Sequence, residues 1–202
     1  NTKYYYRMVY RKTGTTPWMQ RAEHSFHTQR PTSGTFKFDI TSDSHVNILL
    51  GTAANWQRTL TNISADDADF LIDCGDTFSM DNVTTQTGAN NAYSFQRSAI
   101  TFGLVSPSVP VFLAVGNHEE QEAWHLNDYG NPANSQPVWA TNAQKKYFLN
   151  PVPDAFYSGN SDTYYALTGD QLREDYYAWM WGKALFVVID PYWYTTEKPF
   201  IG

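Results

Sequence analysis

The stretch that most constrains this chain runs from Val111 to Glu119. Five apolar residues, Val111, Phe112, Leu113, Ala114 and Val115, stop abruptly at Gly116, Asn117, His118 and Glu119. An unbroken apolar run with β-branched valines reads as a strand buried on both faces, the kind found in parallel sheets covered by helices. A glycine at its end lets the backbone turn sharply. An amide, an imidazole and a carboxylate then stand at the edge where open α/β sheets gather their ligands.

The chain upstream repeats this plan. Phe36, Phe38 and Ile40 alternate with polar residues, which predicts a strand ending near Ser42, Asp43, Ser44 and His45. Thr52 to Asp66 carries Ala53, Trp56, Leu60 and Ile63 at helical spacing, with Thr52 as N-cap. Phe70, Leu71 and Ile72 read as a second buried strand running into Asp73, Cys74, Gly75 and Asp76, and Asn91 to Val105 as a further helix bearing Phe95, Ile100 and Leu104. Strands alternating with helices predict a layered α/β domain. In a parallel sheet the strand ends share one edge, so Asp43 with His45, Asp76, and Asn117 with His118 are expected to converge on one cleft. Carboxylate and imidazole donors suit divalent first-row ions or Fe(III). A single Asp-x-His or Gly-Asp is usually a cap or a turn. Three in order, each after a β-run, are much harder to explain that way.

Ahead of this region the pattern is all-β. Tyr4, Tyr5, Tyr6, Met8, Val9 and Tyr10, a turn at Lys12, Thr13 and Gly14, and a second stretch from Trp18 to Thr28 predict a hairpin. Two strands do not make a stable unit alone. The hairpin is therefore expected to close a β-sandwich over residues 1–32, joined by Arg30 to Gly34 as a linker. Asn1 is not a translation start, and Phe200, Ile201 and Gly202 come just past a buried strand, so the chain is expected to be a fragment cut at both ends. The net charge of -6 argues against nucleic acid or an anionic membrane as the main partner, since both demand a basic surface. No apolar run reaches the length of a membrane span. Cys74 is the single cysteine, so no internal disulfide is possible, and it is expected to be a small buried residue.

The ordered blocks Asp43-Ser44-His45, Gly75-Asp76 and Gly116-Asn117-His118-Glu119 resemble the calcineurin-like metallophosphoesterase superfamily. The resemblance spans roughly Gly34 to Ile189, with Tyr164 to Leu167, Trp181 and Ala184 to Ile189 similar to the hairpin and strand that come next in that fold. It implies a layered metallophosphoesterase-type α/β domain, incomplete, over residues 33–202, preceded by the last strands of a fibronectin III-like sandwich, loosely as in purple acid phosphatases. Two departures stand out. Ser79 occupies the position of a metal-binding tyrosine, with His45 filling that ligand's place, and no histidine comes after His125, so both late histidine blocks of the family pattern are missing.

The resemblance further implies hydrolysis of a phosphate ester, mono- or diester, by a hydroxide activated between two divalent or mixed-valence transition-metal ions, iron, zinc or manganese. Asp43 and His45 would hold one ion, Asn117 the other, and Asp76 both. His118 would give a proton to the leaving oxygen, and Glu119 would orient its ring. The rival reading is an exported, non-catalytic binding or structural protein that keeps the fold. Export is expected from the sandwich and an Asn/Thr-rich, lysine-poor surface; Asn62-Ile63-Ser64 and Asn82-Val83-Thr84 match the glycosylation sequon, which matters only in a eukaryotic secretory context. His125 beside Trp124 is either a substrate-pocket residue or a histidine packed on an aromatic ring. Residues 120–160, polar and punctuated by Pro132, Pro137, Pro151 and Pro153, are expected to form an irregular substrate-shaping insertion.

Overall fold

The parallel strands owe their packing to the period-2 alternation of their side chains. In the computed structural model, which describes residues 1–14, 17–46 and 51–198, β3 (Phe38–Thr41), β4 (Phe70–Asp73) and β5 (Val111–Leu113) form a parallel sheet in the order β3-β4-β5. Leu71 and Leu113 point to one face, where they pack with Trp56, Leu60, Tyr93, Phe102 and Ala140 from the helical side. Phe38, Phe70 and Phe112 point to the other, where they meet Trp179, Trp181 and Phe186.

Helices cover the first face. Helix α1 (Ala53–Ala65) starts where the Thr52 hydroxyl accepts the Asn55 N–H, and it buries Trp56, Leu60 and Ile63, as the spacing predicts. Helix α2 (Gln86–Gln96) is capped by the Thr85 hydroxyl and buries Ala89 and Tyr93. It begins earlier than the expected Asn91 and ends at Gln96, beyond which the chain runs as a loop with one 3-10 turn at Phe102–Leu104. Helix α3 (Gln136–Tyr147) lies inside the segment expected to be irregular.

The second face is covered by an antiparallel sheet of β6 (Ser158–Gly159), β7 (Tyr177–Trp181) and β8 (Ala184–Val188), in the order β6-β7-β8. Phe112 stacks on Trp179 at 4.2 Å between centroids, and Phe70 meets Trp179, Trp181 and Phe186 edge-on at 5.7, 5.4 and 5.1 Å. The C-terminal aromatics are thus mostly core, the default for large apolar rings. Tyr164 to Leu167, expected as part of a hairpin, forms a turn beside an isolated antiparallel bridge between Thr163 and Leu172.

At the front, β1 (Lys3–Tyr10) and β2 (Met19–His27) pair antiparallel, as expected for a hairpin. The sandwich expected around them is not seen among the described residues, because the hairpin is a two-stranded sheet. It rests on the α/β domain instead: the Tyr6 hydroxyl donates to the Pro107 carbonyl at 2.5 Å, and Arg30 donates through Nε to Asp69 at 2.7 Å. Cys74, expected to be buried, is exposed. The Phe200 to Gly202 ending, one of the two grounds for expecting a fragment, lies outside the described residues.

Candidate metal centre

The parallel register sets the ends of all three strands level. Thr41 pairs with Asp73, and Asp73 with Leu113, so the polar residues beyond them leave the sheet together. Backbone bonds stitch the loops past the strands: the Asp43 N–H donates to the Gly75 carbonyl at 2.9 Å, and the His45 N–H to the Asp76 carbonyl at 3.2 Å. Asp43, His45 and Asp76 all hold left-handed backbone, with φ of 56°, 40° and 57°. Such a conformation is costly for side-chain-bearing residues and clusters at functional sites.

The second and third loops meet backbone to backbone. A Cβ on Gly75 would lie 2.3 Å from the Gly116 nitrogen, and a Cβ on Gly116 would lie 2.3 Å from Asp76 Oδ1. Only glycine fits at either place. The contact is locked by Glu119, which is 1% exposed. Its Oε2 accepts the N–H groups of Asp76 and Gly116, and its Oε1 those of Thr77 and Phe78, at 2.7 to 2.9 Å. Burial lifts its pKa to about 6, against the pull of the Phe78 and Asp76 amides. Glu119, expected to orient the His118 ring, has both oxygens on these loop amides, and the bond to the ring of His118 comes from another residue. That residue is Asp81, whose Oδ1 lies 2.5 Å from His118 Nδ1.

His45, Asp76 and His118 bring ligand atoms within 4.8 Å of one another. The His45 and His118 rings stand edge to face with centroids 4.8 Å apart. Asp76 Oδ1 accepts the His118 N–H at 2.9 Å, and its Oδ2 lies 4.0 Å from His45 Nε2. Asp43 stands at the margin, its Oδ1 3.4 Å from His45 Nε2 and its side chain 62% exposed. Asn117 is exposed and lines, with His118, Asp81 and Tyr192, a cavity of about 470 Å³. Burial opposes a charged imidazole at His118, yet the hydrogen bond and charge of Asp81, with the charges of Asp76 and Glu119, carry its pKa above the ordinary value.

Residues 36–189 match the family model described as calcineurin-like phosphoesterase. The chain belongs to the calcineurin-like phosphoesterase family. No curated protein and no solved structure matches it. In this member of the family, a further group lies beside the strand-end residues: Glu120, Glu122 and His125 also place ligand atoms within 4.8 Å of one another. The two groups together are consistent with metal-dependent hydrolysis. His125, for which pocket and packed readings both stood, lines the cavity with Trp124.

Sequence reasoning missed Asp81, Glu120 and Glu122. Asp81 sits on an irregular loop with no periodicity to point at it. Glu122 and His125 are three apart, a spacing that brings side chains together on a helical turn, and that signal was legible.

Proposed function

We propose that this phosphoesterase hydrolyses phosphate esters with two transition-metal ions, held by Asp43, His45, Asp76 and Asn117. The observation that carries the reading is the convergence of His45, Asp76 and His118 at the joined strand ends. The donor set fits such ions. His45 Nδ1 is buried without a hydrogen-bond partner among the described residues, and Nε2, the other ring nitrogen, faces the Asp76 carboxylate at 4.0 Å. Bound there, the ions supply Lewis-acid charge and lower the pKa of a water.

The chain's own residues do the remaining work. Asp76 is held by two backbone contacts, its N–H on Glu119 and its Oδ1 on the His118 N–H, so its other oxygen is left for the cleft. His118 has Nδ1 engaged by Asp81, which fixes the ring and leaves Nε2 as the atom that passes a proton to the departing alkoxide. Glu119 acts at one remove, by holding the loops that carry both residues. A phosphate ester, anionic and with a leaving oxygen that needs a proton, fits this arrangement.

Turnover of a phosphomonoester and a phosphodiester by the metal-loaded full chain tests the reading, with ions counted in parallel. His118→Ala is expected to lose about 10²- to 10⁴-fold in turnover, the range for a general acid, while retaining its ions. Unchanged turnover in that variant, or no ions bound by the unmutated chain, would overturn the assignment. Absence of hydrolysis with ions bound would favour the non-catalytic rival.

A further inference from the structure

Just past the strand-end cluster the chain turns at Glu120, which holds φ of 56° and donates its N–H to the Asn117 carbonyl at 3.1 Å. Close by in the chain, the Glu120 and Glu122 carboxylates and the His125 imidazole meet. None of them belongs to the group formed by His45, Asp76 and His118.

The imidazole sets this group apart from an acidic patch. His125 Nδ1 is bonded at 2.6 Å to Asp128, a residue outside the triad, and His125 Nε2 faces Glu122 Oε2 at 3.5 Å. A carboxylate on one ring nitrogen fixes the tautomer and orientation of a histidine whose other nitrogen binds metal. The Glu122 side chain is only 12% exposed, so its charge is largely withdrawn from water. Glu120, Glu122 and Asp81 line the same cavity of about 470 Å³, against Lys198 and the histidines. Asp81 Oδ2 is buried there without a hydrogen-bond partner among the described residues. Carboxylates gathered in partly buried space call for a cation among them.

We propose that Glu120, Glu122 and His125 bind a divalent transition-metal ion of their own, at the rim of the cleft and separate from the strand-end centre. Two oxygens and one imidazole nitrogen suit zinc or manganese. Three protein ligands leave a coordination position open towards the cavity, as in sites that bind an exchangeable ligand. The site stands whether or not the strand-end centre is catalytic.

The test is titration of the metal-free full chain with Co²⁺ and with Mn²⁺, reading stoichiometry, visible absorption and nitrogen coupling in the Mn²⁺ resonance spectrum. Asp76→Asn is expected to keep an ion that His125→Ala removes. Asp128→Asn is expected to weaken that ion by about 10- to 100-fold, as loss of an orienting partner does. Glu122→Gln preserves side-chain shape and guards against a folding defect in His125→Ala, with circular dichroism checking the fold of each. Wild-type stoichiometry and affinity in folded His125→Ala or Glu122→Gln would overturn the proposal. An ion count that falls with His125→Ala and never with Asp76→Asn would defeat the strand-end reading and leave this site standing. The reverse pattern would defeat this site alone.

Discussion

Gly116 shows how a residue without a side chain governs a site made of side chains. A Cβ there would press on Asp76 Oδ1 at 2.3 Å and on Glu119 Oε2 at 2.8 Å. Neither oxygen is free to retreat, since Asp76 Oδ1 holds the His118 N–H and Glu119 Oε2 holds two amides. Gly116→Ala is therefore expected to cost about 1–3 kcal/mol, the range for overpacking a tight interior. Urea denaturation measures it, and an unchanged midpoint would contradict the account. The block from Gly116 to Glu119 was legible in the sequence as chemistry, but the division of labour inside it was not. Spacing places Glu119 beside His118 along the chain, whereas a single 3-10 turn sends its carboxylate under the loops to the amides of Asp76, Thr77 and Phe78.

At the scale of elements, the antiparallel sheet carries a titrating clasp. Tyr177 pairs with Val188, so Asp175 and Asp190 stand opposite each other just beyond the ends of β7 and β8. Both are buried. Burial and then the charge of Asp190 raise Asp175 to about 8, with Arg173 pulling the other way. Asp190 is also raised by burial, but the amides of Tyr192 and Trp193 favour its charged form, so of the two carboxyls Asp175 keeps its proton to the higher pH. A carboxyl whose folded pKa lies above its unfolded value binds more protons when folded. Its stabilisation is complete below the ordinary carboxylate pKa and is lost as pH rises through about 8. Stability is expected to fall across that window, by at most about 1.4 kcal/mol per pH unit for one proton, and Asp175→Asn to flatten the slope. Thermal unfolding scanned against pH reads it. The helices show what the sequence conveyed of such elements. Helix α1 was legible because Trp56, Leu60 and Ile63 recur at one helical face behind a threonine cap. Helix α3 was not, because its buried face includes Thr141 and Gln144, whose side chains bond to Gln121 at 2.9 and 2.6 Å. A polar network inside the core erases the apolar period on which such a reading depends.

At the scale of the molecule, a few polar ties hold the hairpin and the linker after it to the α/β domain. The strongest is Arg30 on Asp69, with Nη2 to Oδ1 at 2.6 Å and the Asp69 side chain 3% exposed. Asp69 also accepts the Lys37 N–H, at the entry to the parallel sheet. Removing the guanidinium would leave a buried carboxylate without its cation, held by the Lys37 N–H. Arg30→Ala is expected to cost about 3–5 kcal/mol, as for breaking one side of a buried pair, and denaturation of the full chain measures it. A loss below about 1 kcal/mol, the scale of a surface pair, would show that the hairpin and the domain are tied elsewhere. The layered order of the α/β domain was legible from the three strand ends; the site's outer rim was not, since Glu120 and Asp81 lie on loops where neither spacing nor period marks them.

The lone thiol of Cys74 turns the cleft into something that can be watched in real time. It is the only cysteine in the chain, it is exposed, and it sits two residues before Asp76. Partial burial and the charges of Asp73 and Asp43 make its thiolate reluctant to form, so attachment of a dye calls for alkaline conditions. Once attached, the dye stands close to the strand ends, where a paramagnetic ion such as Co²⁺ quenches emission at short range. Emission is expected to fall as Co²⁺ fills the cleft, and a signal indifferent to the ion would contradict that placement. The chain thus carries its own single-site handle beside the metal centre, free of background labelling and requiring no substitution to install.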